Sequence, residues 1–105
     1  MVNINGEGWD VLLVPPSHQG LQRSDGSWTI GMCDDGSKTI YISDAIEDRT
    51  LMKKVLCHEL THAAMFSYDV NLTYEQEEIV ADIISTYGQE IVHMTNLIFN
   101  RLKKK

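Results

Sequence analysis

The order of apolar and polar residues divides the chain into a strand-forming first part and a helix-forming second part. Three short apolar or β-branched runs, bounded by Gly, Asp or Pro, fall within the first 43 residues, at positions 9–14, 27–33 and 38–42. In the third run Ile40 and Ile42 alternate with Tyr41, which is the period of a strand with two different faces. The turn-forming sequence that follows Cys33 (DDGS) predicts a hairpin between the second and third runs. We therefore expect a small sheet of three strands.

The rest of the chain has the period of two amphipathic helices. Apolar residues recur at spacings of three and four over positions 51–66 and again over positions 79–98. Ser43 and Asp44 are placed to cap the first helix, with Glu47 positioned for a capping box on Asp44.

The second helix has a start signal of its own. Thr73 and Gln76 have the spacing of a capping box, and Gly88 is placed to bend or interrupt the helix that follows. The predicted fold class is α+β, with a small three-stranded sheet followed by two long helices. A length of 105 residues, of which 43% are hydrophobic, suits one core, so we expect a single domain over residues 1–105.

The charge distribution narrows the class of partner. Four of the nine basic residues lie at positions 101 and 103–105, so the first 100 residues carry five basic against fifteen acidic groups, a formal charge of −10. An acidic body with a short basic end argues against nucleic acid as the partner.

The N-terminal sequence and the cysteines bear on the cellular compartment. Cys33 and Cys57 suit free thiols in a reducing environment. The first residues lack the basic and apolar regions of a signal peptide, and no stretch has the roughly 18 apolar residues of a membrane helix. We therefore expect a cytoplasmic protein without a membrane partner.

Candidate chemistry is concentrated in the first predicted helix. His58-Glu59-Leu60-Thr61-His62 is an H-E-x-x-H motif, and residues four apart lie on one helix face, so both imidazoles can reach one metal ion. Zinc is the metal expected for this motif, and it lowers the pKa of a bound water from 15.7 toward about 7. Glu59 lies beside the metal rather than on it, so we expect it to act as the general base.

A catalytic zinc needs a third protein ligand, which the second helix can supply. We favour Glu78, because Asp82 lies four residues further on the same face and can accept a hydrogen bond from the far nitrogen of a ligand histidine. Glu75 lies one turn earlier and stays open as the alternative ligand. Glu77 lies about 100° away around the helix, and we expect it to point elsewhere.

These residues resemble the gluzincin class of metallopeptidases, in which a helix with a glutamate ligand and an aspartate four residues later follows the H-E-x-x-H helix. Within that class the chain is similar to the ImmA/IrrE-type family of phage and bacterial regulators, whose second helix reads E-x-x-A-(D or N). Glu78-Ile-Val-Ala-Asp82 matches this pattern. The likeness covers about positions 58–85 and the strand at 38–43, and it departs at Thr61, where the family often has glycine.

The resemblance implies a minimal zincin-like architecture and a cytoplasmic zinc metallopeptidase that hydrolyses peptide bonds in a peptide or protein substrate. It implies that zinc is held by His58, His62 and Glu78, and that Glu59 takes a proton from water on the zinc. Two other functions fit the same residues. One is a catalytically weak, zinc-stabilised regulatory or binding module of a phage or mobile element, and the other is a different metal hydrolase, such as an amidase or a nuclease.

The sequence defines the substrate surface less well than the metal site. An extended substrate is expected to add to the edge of the sheet, at either of the runs 27–33 and 38–42. Side chains able to stabilise an oxyanion are Tyr68, Tyr74, Tyr87 and His93, each of which also suits a structural role. The substrate and the oligomeric state stay open.

Overall fold

A four-stranded mixed sheet with a long helix packed on it forms the body of the protein in the computed structural model, which describes residues 1–103. The strands are β1 (Val2–Ile4), β2 (Glu7–Val14), β3 (Gly31–Asp34) and β4 (Thr39–Ser43), in the spatial order β1-β2-β4-β3. β2 and β4 pair in parallel, and the two outer pairs are antiparallel. β3 is therefore an edge strand, and β4 lies in the interior of the sheet.

The α+β class is confirmed, but the prediction of three strands is wrong because β1 was missed. β1 has only three residues, and it turns back into β2 through Asn5 and Gly6, whose φ angles are 50° and 84°. An Asn-Gly pair is the strongest short-range hairpin signal, because both residues tolerate positive φ. The second predicted strand is also too long, since regular pairing with β4 begins only at Gly31.

The core lies between the sheet and the first helix, α1 (Arg49–Ser67). Trp9, Ile40 and Ile42 from the sheet are buried together with Ala63 from α1. The Trp9 indole donates a hydrogen bond of 2.8 Å to the Ser67 hydroxyl, so its one polar group is satisfied inside the core. This contact fixes the last turn of α1 against the sheet.

The start of α1 differs from the prediction. Asp48 caps the helix, and its carboxylate accepts from the backbone N–H groups of Thr50 and Leu51 at 2.8 and 3.3 Å. The predicted cap at Ser43 and Asp44 is wrong, because the chain first places Ile46 against the core and only then turns into the helix. Two acidic residues four apart give similar cap signals, and tertiary packing selects the later one.

The second long helical segment has three parts. They are α2 (Tyr74–Ile83), a π-helical turn (Ile84–Gly88) and α3 (Gln89–Lys103). The capping box of Thr73 and Gln76 is confirmed, with hydrogen bonds of 3.2 and 3.0 Å in the two directions. Gly88 ends the π turn, where the helix widens but does not break. No helix among residues 1–103 combines the length and hydropathy that crossing a membrane requires.

Candidate metal centre

Two imidazoles from successive turns of α1 face α2. The Nε2 atoms of His58 and His62 lie 3.3 Å apart, and the ring centroids are separated by 5.0 Å. His62 is buried and His58 is partly buried, because the apolar residues around the motif hold this part of α1 between the sheet and α2. The spacing of four residues thus places both side chains at one point, as the sequence predicts.

Glu78 is the carboxylate that reaches both histidines. Its Oε1 atom lies 2.6 Å from His62 Nε2 and 3.6 Å from His58 Nε2, and the three side chains offer donor atoms within 4.8 Å of one another. Glu75 is exposed and is not part of this group. Ala81, one turn beyond Glu78, is fully buried, and its small side chain suits close packing of α2 against the body of the protein.

Each imidazole also has a carboxylate at its far nitrogen. Asp82 Oδ1 lies 3.2 Å from Nδ1 of His58, at the position that the sequence predicts for it. Glu77 Oε1 lies 3.2 Å from Nδ1 of His62, so the prediction that Glu77 points elsewhere is wrong. Glu77 and Glu78 are neighbours in the first turns of α2, and both reach the histidine pair. The signal that sequence reasoning missed was simple: two ligand histidines need two partners, and Asp82 serves only one.

The arrangement of donor atoms fits a zinc ion. In the tautomer with the proton at Nδ1, which a carboxylate partner there favours, the Nε2 lone pairs of His58 and His62 face each other and Glu78. Three acceptors that converge in this way favour a cation between them. Zinc bonds of 2.0–2.1 Å in a tetrahedron give ligand separations of about 3.3 Å. The two separations that involve His58 are 3.3 and 3.6 Å, and only that between His62 and Glu78 is shorter.

Glu59 lies beside this group and points into the cleft between α1 and β3. It is 9% exposed. Burial raises the pKa of the Glu59 carboxyl above its ordinary value, and the imidazoles of His58 and His62 oppose that rise. A Cβ atom on Gly31 of β3 would lie 3.2 Å from Glu59 Oε2 and 2.6 Å from Val55 Cγ1. The glycine therefore provides the space in which Glu59 lies.

The group opens into a cleft of about 370 Å³ between α1, α2 and β3. Among the proposed oxyanion partners only Tyr74 lines it; Tyr68, Tyr87 and His93 do not. Arg23, which sequence reasoning did not single out, also lines the cleft. It lies in the loop before β3, where neither motif nor period marks it, so only the fold brings it to the site.

The cleft runs along the free edge of the sheet. Met32 and Cys33 of β3 form part of its wall. Of the two strands considered for substrate addition, β4 is paired on both sides, whereas β3 has one unpaired edge among the described residues.

Burial, reinforced by the nearby carboxylate of Glu59, raises the pKa of the Cys33 thiol to about 12. Cys33 is therefore a neutral part of this wall.

Comparison with protein-family models, with curated proteins and with solved structures gives no match to this chain. The functional argument therefore depends on the geometry of the site itself.

Proposed function

We propose that the protein is a zinc-dependent metallopeptidase of the gluzincin type, similar to the ImmA/IrrE-type family. The observation that carries the proposal is the convergence of His58, His62 and Glu78, with a carboxylate behind each imidazole. An H-E-x-x-H helix that binds no metal has no need of Glu78, or of the carboxylates of Asp82 and Glu77 behind the imidazoles. This arrangement matches the His₂Glu ligand set of catalytic zinc sites, which leave a coordination position open.

In this proposal zinc, when bound, supplies Lewis acidity and makes water acidic enough to ionise near neutral pH. Glu59 accepts the proton of the attacking water and passes it to the leaving amine. Its low exposure beside the cleft limits the positions that its carboxylate can take. Asp82 and Glu77 keep the two imidazoles oriented while this happens.

The substrate in this proposal is a peptide or protein segment in extended conformation. The unpaired edge of β3 offers backbone hydrogen bonds along the cleft, which is the usual way in which a sheet edge binds an extended chain. The acidic charge of the first 100 residues, five basic against fifteen acidic groups, disfavours a nucleic acid in the same place. A cytoplasmic location belongs to the same proposal.

The test of the proposed reaction is the variant Glu59→Gln, with Glu75→Gln as the matched control on an exposed glutamate. Loss of a general base is expected to lower the rate of peptide hydrolysis about 10²- to 10⁴-fold, while zinc stays bound. The measurements are hydrolysis of a mixed peptide library, followed by mass spectrometry, and zinc content. Full hydrolysis by zinc-loaded Glu59→Gln would contradict the mechanism.

The same convergence of His58, His62 and Glu78 also suits a second candidate, a catalytically weak zinc-stabilised regulatory module. A zinc ion held by three side chains from two helices stabilises the folded state whether or not the site turns over a substrate. In that case zinc raises the unfolding midpoint of wild type and of Glu59→Gln equally, and neither protein cleaves the library. Cleavage by wild type alone excludes this candidate.

A further inference from the structure

The metal cleft adjoins a second cavity along β3. This second cavity has a volume of about 570 Å³, and it shares Arg23, Met32, Cys33 and Tyr74 with the metal cleft. The rest of its wall comes from β4 and from the chain around the 3₁₀ turn at Gln19–Leu21. A substrate that lies along β3 therefore passes both spaces.

The register of β3 shows which face of the sheet each cavity reaches. Gly31 and Cys33 lie on the face that α1 covers, where a Cβ atom on Gly31 would meet Val55 Cγ1 at 2.6 Å. Met32 is paired with Tyr41, and successive residues of a strand alternate between faces, so these two lie on the other face. Tyr41 lines the second cavity but not the metal cleft. The second cavity therefore reaches around the edge of β3 to that other face.

An extended substrate on the free edge of β3 would present its side chains to the two cavities in turn. The backbone N–H of Ser43 donates to the carbonyl of Ile30, so hydrogen bonding to β4 uses Ile30 and every second residue after it. The backbone groups of Gly31 and Cys33 consequently face the free edge. A substrate residue paired with Gly31 has its side chain on the metal side, and its neighbours have theirs on the side of the second cavity.

Arg23 lies where the two cavities meet, in a loop whose backbone is held by hydrogen bonds. Its N–H group donates to the carbonyl of Ser27 at 2.7 Å, and its carbonyl accepts from the N–H of Gly26 at 2.9 Å. Gly26 has a φ of 88°, a backbone conformation that glycine adopts without strain. Arg23 itself is exposed. The loop thus presents a guanidinium group to the path of the substrate.

The guanidinium of Arg23 has no carboxylate partner within residues 1–103. The ion pairs among these residues are made by Lys38 and by the two histidines of the metal site. Asp34, the acidic residue that lines the second cavity, accepts hydrogen bonds from Gly36 and Ser37 of its own turn instead. Among the described residues that line this cavity, Arg23 is also the only Lys or Arg. Its charge is therefore available to a ligand.

In a peptide the group that matches these donors is a carboxylate. Arg presents parallel N–H donors that bind a carboxylate at two points, and such charge-assisted hydrogen bonds are roughly twice as strong as neutral ones. Tyr74, which lines both cavities and is 74% exposed, offers a phenol hydroxyl that can donate a further bond. A peptide supplies a carboxylate from Asp or Glu, or from its C-terminus.

We propose that Arg23 determines the specificity of the site, by binding a carboxylate of the peptide substrate in the second cavity. This proposal rests on the proposed peptidase function. It adds that acidic peptides are the preferred substrates, with the carboxylate at one fixed position near the cleaved bond.

The first test is cleavage of a randomised peptide library with amidated C-termini by zinc-loaded protein, with the products sequenced by mass spectrometry. Wild type is expected to favour Asp or Glu about 10- to 100-fold over Asn or Gln at one position. Arg23→Gln is expected to cleave without this preference. Arg49→Gln, which removes an exposed Arg outside both cavities, is the matched control and keeps the preference. If the preference appears only in a library with free C-termini, the carboxylate is that of the C-terminus.

The variant Arg23→Glu separates direct binding of a carboxylate from a structural effect of the loop. It is expected to reverse the preference, toward Lys or Arg at the same position of the substrate, because the new carboxylate attracts the opposite charge. The same cleavage pattern in wild type, Arg23→Gln and Arg23→Glu, with either library, would overturn the proposal and leave the peptidase itself supported.

Peptide binding separates this proposal from the proposed reaction. Immobilised, zinc-loaded Glu59→Gln is expected to retain acidic peptides from the same libraries, and the double variant Glu59→Gln/Arg23→Gln is expected to lose this enrichment about 10- to 100-fold. Enrichment that depends on Arg23, without cleavage by wild type, would support the carboxylate site and refute the peptidase. Absence of both enrichment and cleavage would refute both proposals.

Discussion

At the scale of single residues, the two outer carboxylates distinguish this site from an ordinary pair of helix histidines. Asp82 serves His58 and Glu77 serves His62, each at 3.2 Å from the Nδ1 atom. Their side chains differ in environment, since Asp82 is 69% exposed and Glu77 only 17%. The more buried Glu77 is therefore expected to have the stronger effect on its imidazole.

Glu77→Ala is expected to weaken zinc binding about 10- to 100-fold, because the ring of His62 loses the partner that fixes its orientation. The measurement is a competition titration against a chelating dye. Glu75→Ala is the control, since Glu75 lies on the same helical turn but is exposed and outside the group. Equal affinities for the two variants would show that Glu77 has no such role.

The thiol of Cys33 gives a prediction about pH. Its pKa is raised from 9.0 to about 12 by burial first and by the Glu59 carboxylate second. The measurement is the alkylation rate of Cys33 in a Cys57→Ser background. Above pH 9 this rate is expected to level off in the urea-unfolded chain, whereas in the folded protein it still rises about tenfold per pH unit. The folded protein keeps the Cys33 thiol protonated to a higher pH than the unfolded chain does. This difference in pKa stabilises the folded state below about pH 9, and the stabilisation is lost as the pH rises toward 12. A plateau near pH 9 in the folded protein would contradict the account.

The sequence was a good guide to those site residues that a helical period relates to one another. His58 and His62 on α1, and Glu78 and Asp82 on α2, lie together as their spacing predicts. Arg23 comes from a loop, and the contact of Glu77 with His62 depends on how α2 packs against α1. Neither is encoded in a local period, so only the folded structure reveals them.

At the scale of secondary-structure elements, the position of β3 against α1 determines the shape of the site. β3 is the edge strand, and it passes close to Glu59 only because Gly31 has no side chain. Local signals predict β2, β4 and the capping box of α2 well. They fail where tertiary contacts decide, as at the start of α1, and where an element is very short, as in β1.

Gly31→Ala tests the close approach of β3 and α1. The new methyl group would meet Val55 Cγ1 at 2.6 Å, so we expect a loss of about 1–3 kcal/mol in the free energy of unfolding by urea. Gly36→Ala is the control, because a Cβ there meets only the exposed Asp34 carboxylate, at 3.3 Å. If the two variants are equally stable, β3 has more freedom than the structure indicates.

At the scale of the whole molecule, the sheet and α1 form a packed body, and the second helical segment has two parts with different surroundings. Its first part, α2, carries Glu78 to the histidines, whereas its last part, α3, carries exposed apolar side chains and makes its close contacts chiefly with the π turn before it. The two parts meet at the π turn of Ile84–Gly88. The metal site therefore depends on α2 and not on α3.

The most direct test of the central claim is the zinc content of purified, zinc-replenished protein by elemental mass spectrometry, for wild type, Glu78→Ala and Glu75→Ala. We expect about one zinc per chain in wild type and in Glu75→Ala, and a large loss in Glu78→Ala, which removes one of three protein ligands. A folded wild-type protein without zinc, or undiminished zinc in Glu78→Ala, would contradict the assignment of this site.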